Sequence, residues 1–449
     1  MDDDRLRRSM DLSVAEGSLA TVMGALVSGV FLTGYALEMG ASRLQIGVLS
    51  ALPIFANLAQ LGGAFLIERR GDCKRLCLVT TLIGRLLWIP IFLAPLSLSG
   101  SGVTGIWCML TLLAVTSLCS SAGGVCWLVW TKNLIPESRI VAFLGRRHVY
   151  NTGLSLVMGM MAASYLDWMR GNGKAIAGFQ IVFAVAIGCG LSGLILLSAI
   201  PAPAMSPTNS ASLRRLALAP LGDARFRKLL VYYGVWNAGV QLAQPFFAVY
   251  MIQKMHLSFG YITVLATISS TLGLVTSNFW TRQFIRFGTK PILLIVTLAD
   301  LITTMLWLFL TPDRCGLLIL IHCAGIFSAP LAMAPNNMLF RLCPEKNSSF
   351  YMAVFNSVIG MAGAVAAVGG GILATAFLNW HIPIGSVDVG GLKLLFLISA
   401  IVRLASLPLL NLVLEPDAST VTGVIRILRF PSIGAAAFRR LQAEGEQAA

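Results

Sequence analysis

Charge is what this 449-residue chain has least of: Asp, Glu, Lys and Arg together make up 12% of it, against about 25% in an average soluble domain. So few charges cannot cover a soluble fold of this size, which excludes a soluble enzyme and a disordered chain alike. Histidine is scarcer still, at four copies (His148, His256, His322, His381). None has a ligand-like partner three or four residues away, so no metal site is expected. Nine cysteines, from Cys73 and Cys77 to Cys343, fall mostly inside apolar runs without framework spacing. They read as small packing residues, not as a disulfide scaffold. There is no Walker-type loop, so no nucleotide cofactor is expected. The polar, Asp-rich segment 1–12 and the long apolar run after it do not make a cleavable leader.

What the chain does have is apolar length. Hydrophobic residues make up 57% of it, with 43 glycines. A helix crossing the hydrocarbon core needs roughly 20 apolar residues. Twelve such runs are found, at about 14–37, 44–67, 76–98, 104–130, 149–169, 175–200, 229–253, 258–281, 291–311, 315–340, 351–378 and 392–414. The short alternating segments of a β-barrel are absent. The fold class is therefore an all-α polytopic membrane protein with twelve transmembrane helices.

The net charge of +14 does not point to nucleic acid, because the basic residues are scattered between the apolar runs. Their placement sets orientation instead. With the N-terminus inside, 25 Lys and Arg fall on inner segments, whereas only Arg43, Arg170, Lys174, Lys254 and Arg314 fall on outer ones. This predicts a multi-pass protein of the cell (inner) membrane with both termini cytoplasmic. The longest polar connection, 201–228, holds three prolines, a Ser-rich stretch and then basic residues. It reads as a cytoplasmic linker between two six-helix bundles, 14–200 and 229–414. Residues 1–13 form a short cytoplasmic segment. The tail, 415–449, mixes apolar residues with Arg426, Arg429, Arg439 and Arg440, as an amphipathic segment lying on an anionic leaflet would, or a disordered one.

An internal repeat supports the division. Glu68-Arg69-Arg70-Gly71 after helix two corresponds to Ile285-Arg286-Phe287-Gly288 after helix eight. Pro136-Glu137 after helix four corresponds to Pro344-Glu345 after helix ten, and Tyr150-Asn151 to Phe355-Asn356. The offsets are 217, 208 and 205. Both halves begin on the same side, so the repeat is parallel.

Twelve helices in two parallel six-helix halves joined by a basic loop resemble the major facilitator superfamily. The resemblance runs from about residue 14 to 414. Its signature between helices two and three, Gly-x-x-x-Asp-Arg-x-Gly-Arg-Arg, is matched in part. Glu68 stands for the Asp, Arg69 and Gly71 fit, Lys74 and Arg75 come late, and Gly63 is one place from the leading Gly. In the second half Arg286, Gly288 and Lys290 remain, with Ile285 in place of the acid. The helix-four Arg of many proton-coupled members has no counterpart. The segment from Pro136-Glu137-Ser138-Arg139 to Gly145-Arg146-Arg147 also resembles a recurring feature of unassigned bacterial members. The superfamily fold implies alternating access, a central cavity lined by helices one, four, seven and ten, and helices nine and twelve as neighbours. Glu68, Arg69, Gly71, Arg286 and Gly288 are then either a latch between the halves or a solvated basic loop.

Charges inside the membrane are the sharpest local signals, since each costs at least about 2.5–3.5 kcal/mol unless satisfied. Three qualify: Arg85 in helix three, Asp300 in helix nine and Arg403 in helix twelve. Asp300 and Arg403 both sit midway along their spans and are expected to form a structural ion pair. Arg85 finds no acid in helix six. Glu16, Glu38 and Asp167 lie near span ends and are read as interfacial.

Helix seven carries a polar stripe: Tyr233, Asn237, Gln241 and Gln244 share one face, with Trp236 and Pro245 beside it. That face suits substrate binding by hydrogen bonds and stacking, or else amide bonds between helices. Amides and tryptophans nearer the cytoplasm are candidate gate residues or plain interfacial anchors: Asn57, Gln60, Trp127, Trp130, Asn151, Asn278, Asn336, Asn337 and Asn356. Gly363, Ala367 and Gly371, spaced by four in helix eleven, read as a close-packing face. His322 lies within helix ten, either facing the cavity or packed.

These features together lead to a monomeric secondary transporter, not an enzyme, moving a small uncharged or amphipathic solute across the bilayer. The driving ion, proton or sodium, is left open. A lipid flippase or sensor on the same scaffold, or a polytopic membrane enzyme, is the alternative.

Overall fold

The computed structural model describes residues 3–70, 72–97, 102–202, 219–342, 348–384, 387–413 and 415. Within them the helices run as twelve rods, several of them broken. The first is α1 (Asp3–Leu26) and α2 (Gly29–Glu38), the second α3 (Arg43–Phe55) and α4 (Ala59–Arg70), and the third α5 (Cys73–Leu86) and α6 (Trp88–Ser97). Next come α7 (Gly102–Leu134), α8 (Glu137–Gly171) and α9 (Ala175–Ala199), closing the first half. The second half holds α10 (Ala224–Val249), α11 (Phe259–Phe287) and α12 (Thr289–Leu306), followed by α13 (Leu317–Cys323) with α14 (Ser328–Leu342), then α15 (Ser348–Ala376) and α16 (Leu392–Leu410). Among the described residues, nine helical stretches are long and apolar enough to cross a membrane. The second, fifth and seventh rods fall short because of a break or of polar residues. Side chains such as Ile285, Val275 and Ile195, exposed by 79%, 73% and 71%, lie on the helical surface, as lipid-facing positions require.

The breaks have local causes. Gly29, at φ +55°, restarts the first rod after Ser28. Pro53 precedes a 3-10 turn at Ala56–Leu58 in the second rod. Caps fix several entries: Ser42 and Gln45 make a reciprocal capping box, and Asp72, Asp223 and Ser258 accept backbone N–H bonds at the starts of α5, α10 and α11. Two boundaries differ from expectation. The first helix starts at Asp3 and the fifth at Glu137, so segments read as loops are helical. Asp3 with Arg139 (2.6 Å) and Asp11 with Arg146 pair along these extensions, which gives the Arg139-to-Arg147 segment a structural job. Between rods eleven and twelve lies an unforeseen antiparallel hairpin, β1 (His381–Ile384) and β2 (Val387–Gly390). Of the tail, only Glu415 is described; it accepts bonds from Thr289 N and Lys290 N (2.8 and 2.6 Å) at the start of α12. The rest of the expected amphipathic segment lies outside the described residues.

Packing differs between the two faces of the molecule. On the face opposite the first residues, one apolar core joins both halves, with Phe31, Tyr35, Phe179 and Phe183 against Phe246, Tyr250, Phe259 and Phe396. Phe179 meets Phe259 edge-on at 5.5 Å. On the termini face each half has its own core: Cys73, Cys77, Cys126 and Trp130 in one, Phe226, Tyr233, Trp280 and Phe355 in the other. Lipid gives no hydrophobic drive for helix association, so close backbone contact carries the seam. A Cβ on Gly47 would meet Ala367 O at 2.6 Å, and one on Gly371 would meet Arg43 O at 2.9 Å and Leu44 Cα at 3.0 Å. Ala367 and Gly371 of helix eleven thus pack against helix two.

Backbone atoms cannot yield to a branched side chain. Gly371→Val is therefore expected to push the second and eleventh rods apart on this face. Distances between paramagnetic labels on the loops near residues 40 and 379 should lengthen by several ångströms.

Candidate functional site

In the first half, three charged side chains meet inside the bundle. Glu16 on α1 is 3% exposed. Its Oε1 lies 3.3 Å from Arg85 Nη2 on α5, and its Oε2 lies 3.1 Å from Arg147 Nη2 on α8. Arg85 also donates through Nη1 to the Gly190 carbonyl on α9, and Arg147 through Nη1 to Ser13 Oγ at 3.1 Å. The guanidinium of Arg147 stacks on Trp127 of α7, 3.9 Å from the ring centroid. Glycines make the room: Gly17 sits where a Cβ would strike the Arg147 guanidinium, and a Cβ on Gly193 would be 3.4 Å from Arg85 Nη1.

This cluster lines a cavity of about 400 Å³, at the lower end of the range for small-molecule sites. Met23, Val27 and Trp88 give it apolar lining, and Cys77, Thr81 and Ser120 add weakly polar walls. Gly24 and Ser120 are exposed, so the cavity is open at that edge.

Glu16 was read as interfacial, and that reading is corrected; Arg85, for which helix six offers no acid, finds its partner in Glu16. The longer helices place Glu16 and Arg147 well inside their rods, and the acid for Arg85 comes from helix one. A signal existed in the sequence: Ser13, Glu16, Gly17 and Thr21 form a small, polar face on one helix.

The helix-seven stripe is mostly engaged in packing. Tyr233 is buried, with its hydroxyl 3.8 Å from Met338 Sδ and its ring against Phe355. Asn237 Nδ2 donates to Ile359 O at 2.9 Å, and a Cβ on Gly363 would touch Asn237 and Gln241. Trp236 is buried, its ring 5.9 Å from the Arg403 guanidinium, and Gln244 alone is exposed. Four of these five residues thus join helix seven to its neighbours, which is the interhelical alternative already open in the sequence.

Arg403 Nη1 lies 2.7 Å from Asp300 Oδ2 and 2.8 Å from Thr304 Oγ1. This pair ties the ninth rod to the twelfth behind Gly239, where a Cβ would meet Arg403 Cγ at 2.9 Å.

The gate candidates divide. Trp127 stacks on Arg147, Trp130 is buried and donates to Pro201 O at 2.9 Å, and Asn151 accepts from Ser18 Oγ at 3.1 Å. Gln60 donates to Asn57 at 3.1 Å within its own rod. Asn278, Asn336 and Asn356 are exposed and Asn337 half-buried. In the loop signature, the side chains of Glu68 and Arg69, and Gly71 altogether, lie outside the described residues. Arg286 stacks on Phe287, and Gly288 ends α11 at φ +86°. His322 is packed, its Nδ1 2.8 Å from Leu318 O.

The halves are tied by hydrogen bonds on the opposite face. Asp167, at the end of α8, accepts from Phe259 N and Gly260 N at the start of α11, both at 2.7 Å. Arg43 Nη1 donates to Ala374 O at 2.6 Å. Asp167 lies near the end of its rod, as expected of an interfacial acid, and in addition bridges the halves.

This architecture has known counterparts. The nucleoside transporter NupG superposes with a TM-score of 0.70 at 14% identity, over 91% of this chain and 100% of that one. The D-xylose-proton symporter gives 0.67 at 13%, over 92% and 99%. A bacterial homologue of the iron transporter ferroportin, in an inward-facing state, gives 0.65 at 12%, over 92% and 99%. No curated protein matches the sequence. The sequence profile of the Major Facilitator Superfamily matches residues 236–438. The second half of the chain is thus similar to the Major Facilitator Superfamily, and the chain shares the fold of these transporters over nine-tenths of its length.

Removing one member of a buried ion pair leaves the other uncompensated. Asp300→Ala is expected to cost stability near the lower end of about 3–5 kcal/mol, because the aspartate is partly exposed. The double variant Asp300→Ala/Arg403→Met should recover most of the loss, read as thermal unfolding in detergent.

Proposed function

We propose that the chain is a secondary active transporter that carries a small solute by alternating access, with the Glu16–Arg85–Arg147 cavity as part of its solute path. The observation that carries this reading is the one-sided seam. A shared core, close backbone contacts and the Asp167 and Arg43 bonds join the halves on one face, while separate cores leave each half an independent body on the other. Two such bodies can rock about the solute path, so that the seam opens as the termini face closes. The basic excess on the termini side assigns that face to the cytoplasm, which makes this arrangement inward-facing.

The uncharged-solute expectation rested on helix seven, most of whose polar face is engaged in packing. The pocket nearer the termini face is lined by charged and apolar residues together, which favours an amphipathic solute over a purely polar one.

A carrier must populate both arrangements, and a receptor fixed in one need not. Distances between paramagnetic labels, one pair on each face, should show two reciprocal populations; a single population unaffected by every condition overturns the reading. Asp167→Ala removes two charge-assisted bonds from the N-terminus of α11. It should shift the population toward the seam-open form by roughly tenfold or more, since each such bond contributes about 1.5–3 kcal/mol.

A further inference from the structure

We propose that the cavity between the first, third, fourth and fifth rods binds an organic monoanion, a carboxylate with an apolar body. This rests on the carrier reading and concerns what is carried. The argument begins with charge. Two guanidiniums and one carboxylate line the cavity, and no second acid does. Each Glu16 oxygen is already engaged, one with Arg85 and one with Arg147. One positive charge is thus left over inside a membrane bundle, where an unmatched charge is disfavoured and marks a functional position.

The donors point the same way. A guanidinium offers five N–H groups in a planar fork. Arg147 uses two nitrogens on Glu16 and Ser13, and its flat face lies on Trp127. Stacking fixes the plane of the fork while leaving donor capacity at its edge, which matches a carboxylate. The lining also includes Met23, Val27 and Trp88, which offer dispersion contacts and no charge. A ligand that meets both kinds of lining carries one negative charge and an apolar group. A dianion would outnumber the single excess charge, and a neutral solute would leave it unmatched.

The test uses purified full-length protein and the fluorescence of Trp88 and Trp127, with benzoate, 1-naphthoate, phthalate and benzamide as probes. Benzoate and naphthoate should quench saturably and benzamide should not. Arg147→Gln brings the lining to neutrality and should weaken benzoate by at least about tenfold. Glu16→Gln raises the excess to two charges, so it should tighten benzoate and admit phthalate. Arg147→Lys keeps the charge without the fork and should fall between wild type and Arg147→Gln. Since these side chains also pack the bundle, each variant is compared at equal thermal stability. Glu16→Gln/Arg147→Gln, which restores the single excess charge, should regain part of the benzoate affinity.

Equal binding of benzoate and benzamide, benzoate binding indifferent to Arg147→Gln, or no saturable carboxylate binding at all overturns the proposal. If carboxylates fail to bind while the label distances still show both faces opening in turn, the solute class is wrong and the carrier reading stands. If benzoate binds but the faces never exchange, the site stands and the carrier reading falls.

Discussion

The structure of the first half depends on one carboxylate. Glu16 lies where water is scarce, and it holds two guanidiniums that neither the helix nor the lipid could accommodate alone. Its position dictates the glycines around it: Gly17 clears space for Arg147, and Gly193 lets α9 close on Arg85. Without that acid, Arg85 and Arg147 would face each other as like charges inside one bundle. The second half solves a similar problem differently. Arg403 has its own acid, a hydroxyl from Thr304 and the ring of Trp236 near it, so its charge is matched within the packing. One half therefore keeps a net charge in a cavity, and the other neutralises its charge behind the helices.

The two faces of the molecule follow the same division between what must be matched and what can be left free. On the seam, apolar rings and small residues bring backbones close enough for Arg43 and Asp167 to reach main-chain partners across the halves. All three bonds end on backbone groups, so they depend on helix position more than on the partner's side-chain identity. Such contacts are lost together when the helices separate, which suits a two-state element better than a graded one.

Much of this architecture was legible in the sequence, and the reasons are physical. Apolar length shows the spans, because lipid demands it of every crossing helix. Asp300 and Arg403 stood out because a charge midway along a span has few ways to be satisfied. Glu16 and Arg147 were obscured by the same reasoning. Hydropathy locates the apolar part of a helix, while α1 and α8 continue 11 and 12 residues before the apolar runs begin at 14 and 149. Residues assigned to an interface were in truth several turns along a rod. Helix seven misled in the other direction. Its amide stripe is periodic, but periodicity gives a shared face and not what the face meets; the partner, Gly363 on the eleventh rod, is 122 positions from Gln241 in the chain.

Under the carrier reading proposed above, the exposed amides on the termini face would acquire a role. Asn278, Asn336 and Asn356 come from three different rods of the second half and are uncovered in this arrangement. Rocking the halves together on that face would remove them from water, and a buried amide without a partner is costly. Charged residues there would lock the closed form or forbid it, depending on sign. An amide supplies both a donor and an acceptor and carries no net charge, so it can be wetted in one arrangement and bonded in the other at a small difference in free energy. Small differences are what an alternating carrier needs, because a solute can shift the balance between two states only by the difference in its affinity for them.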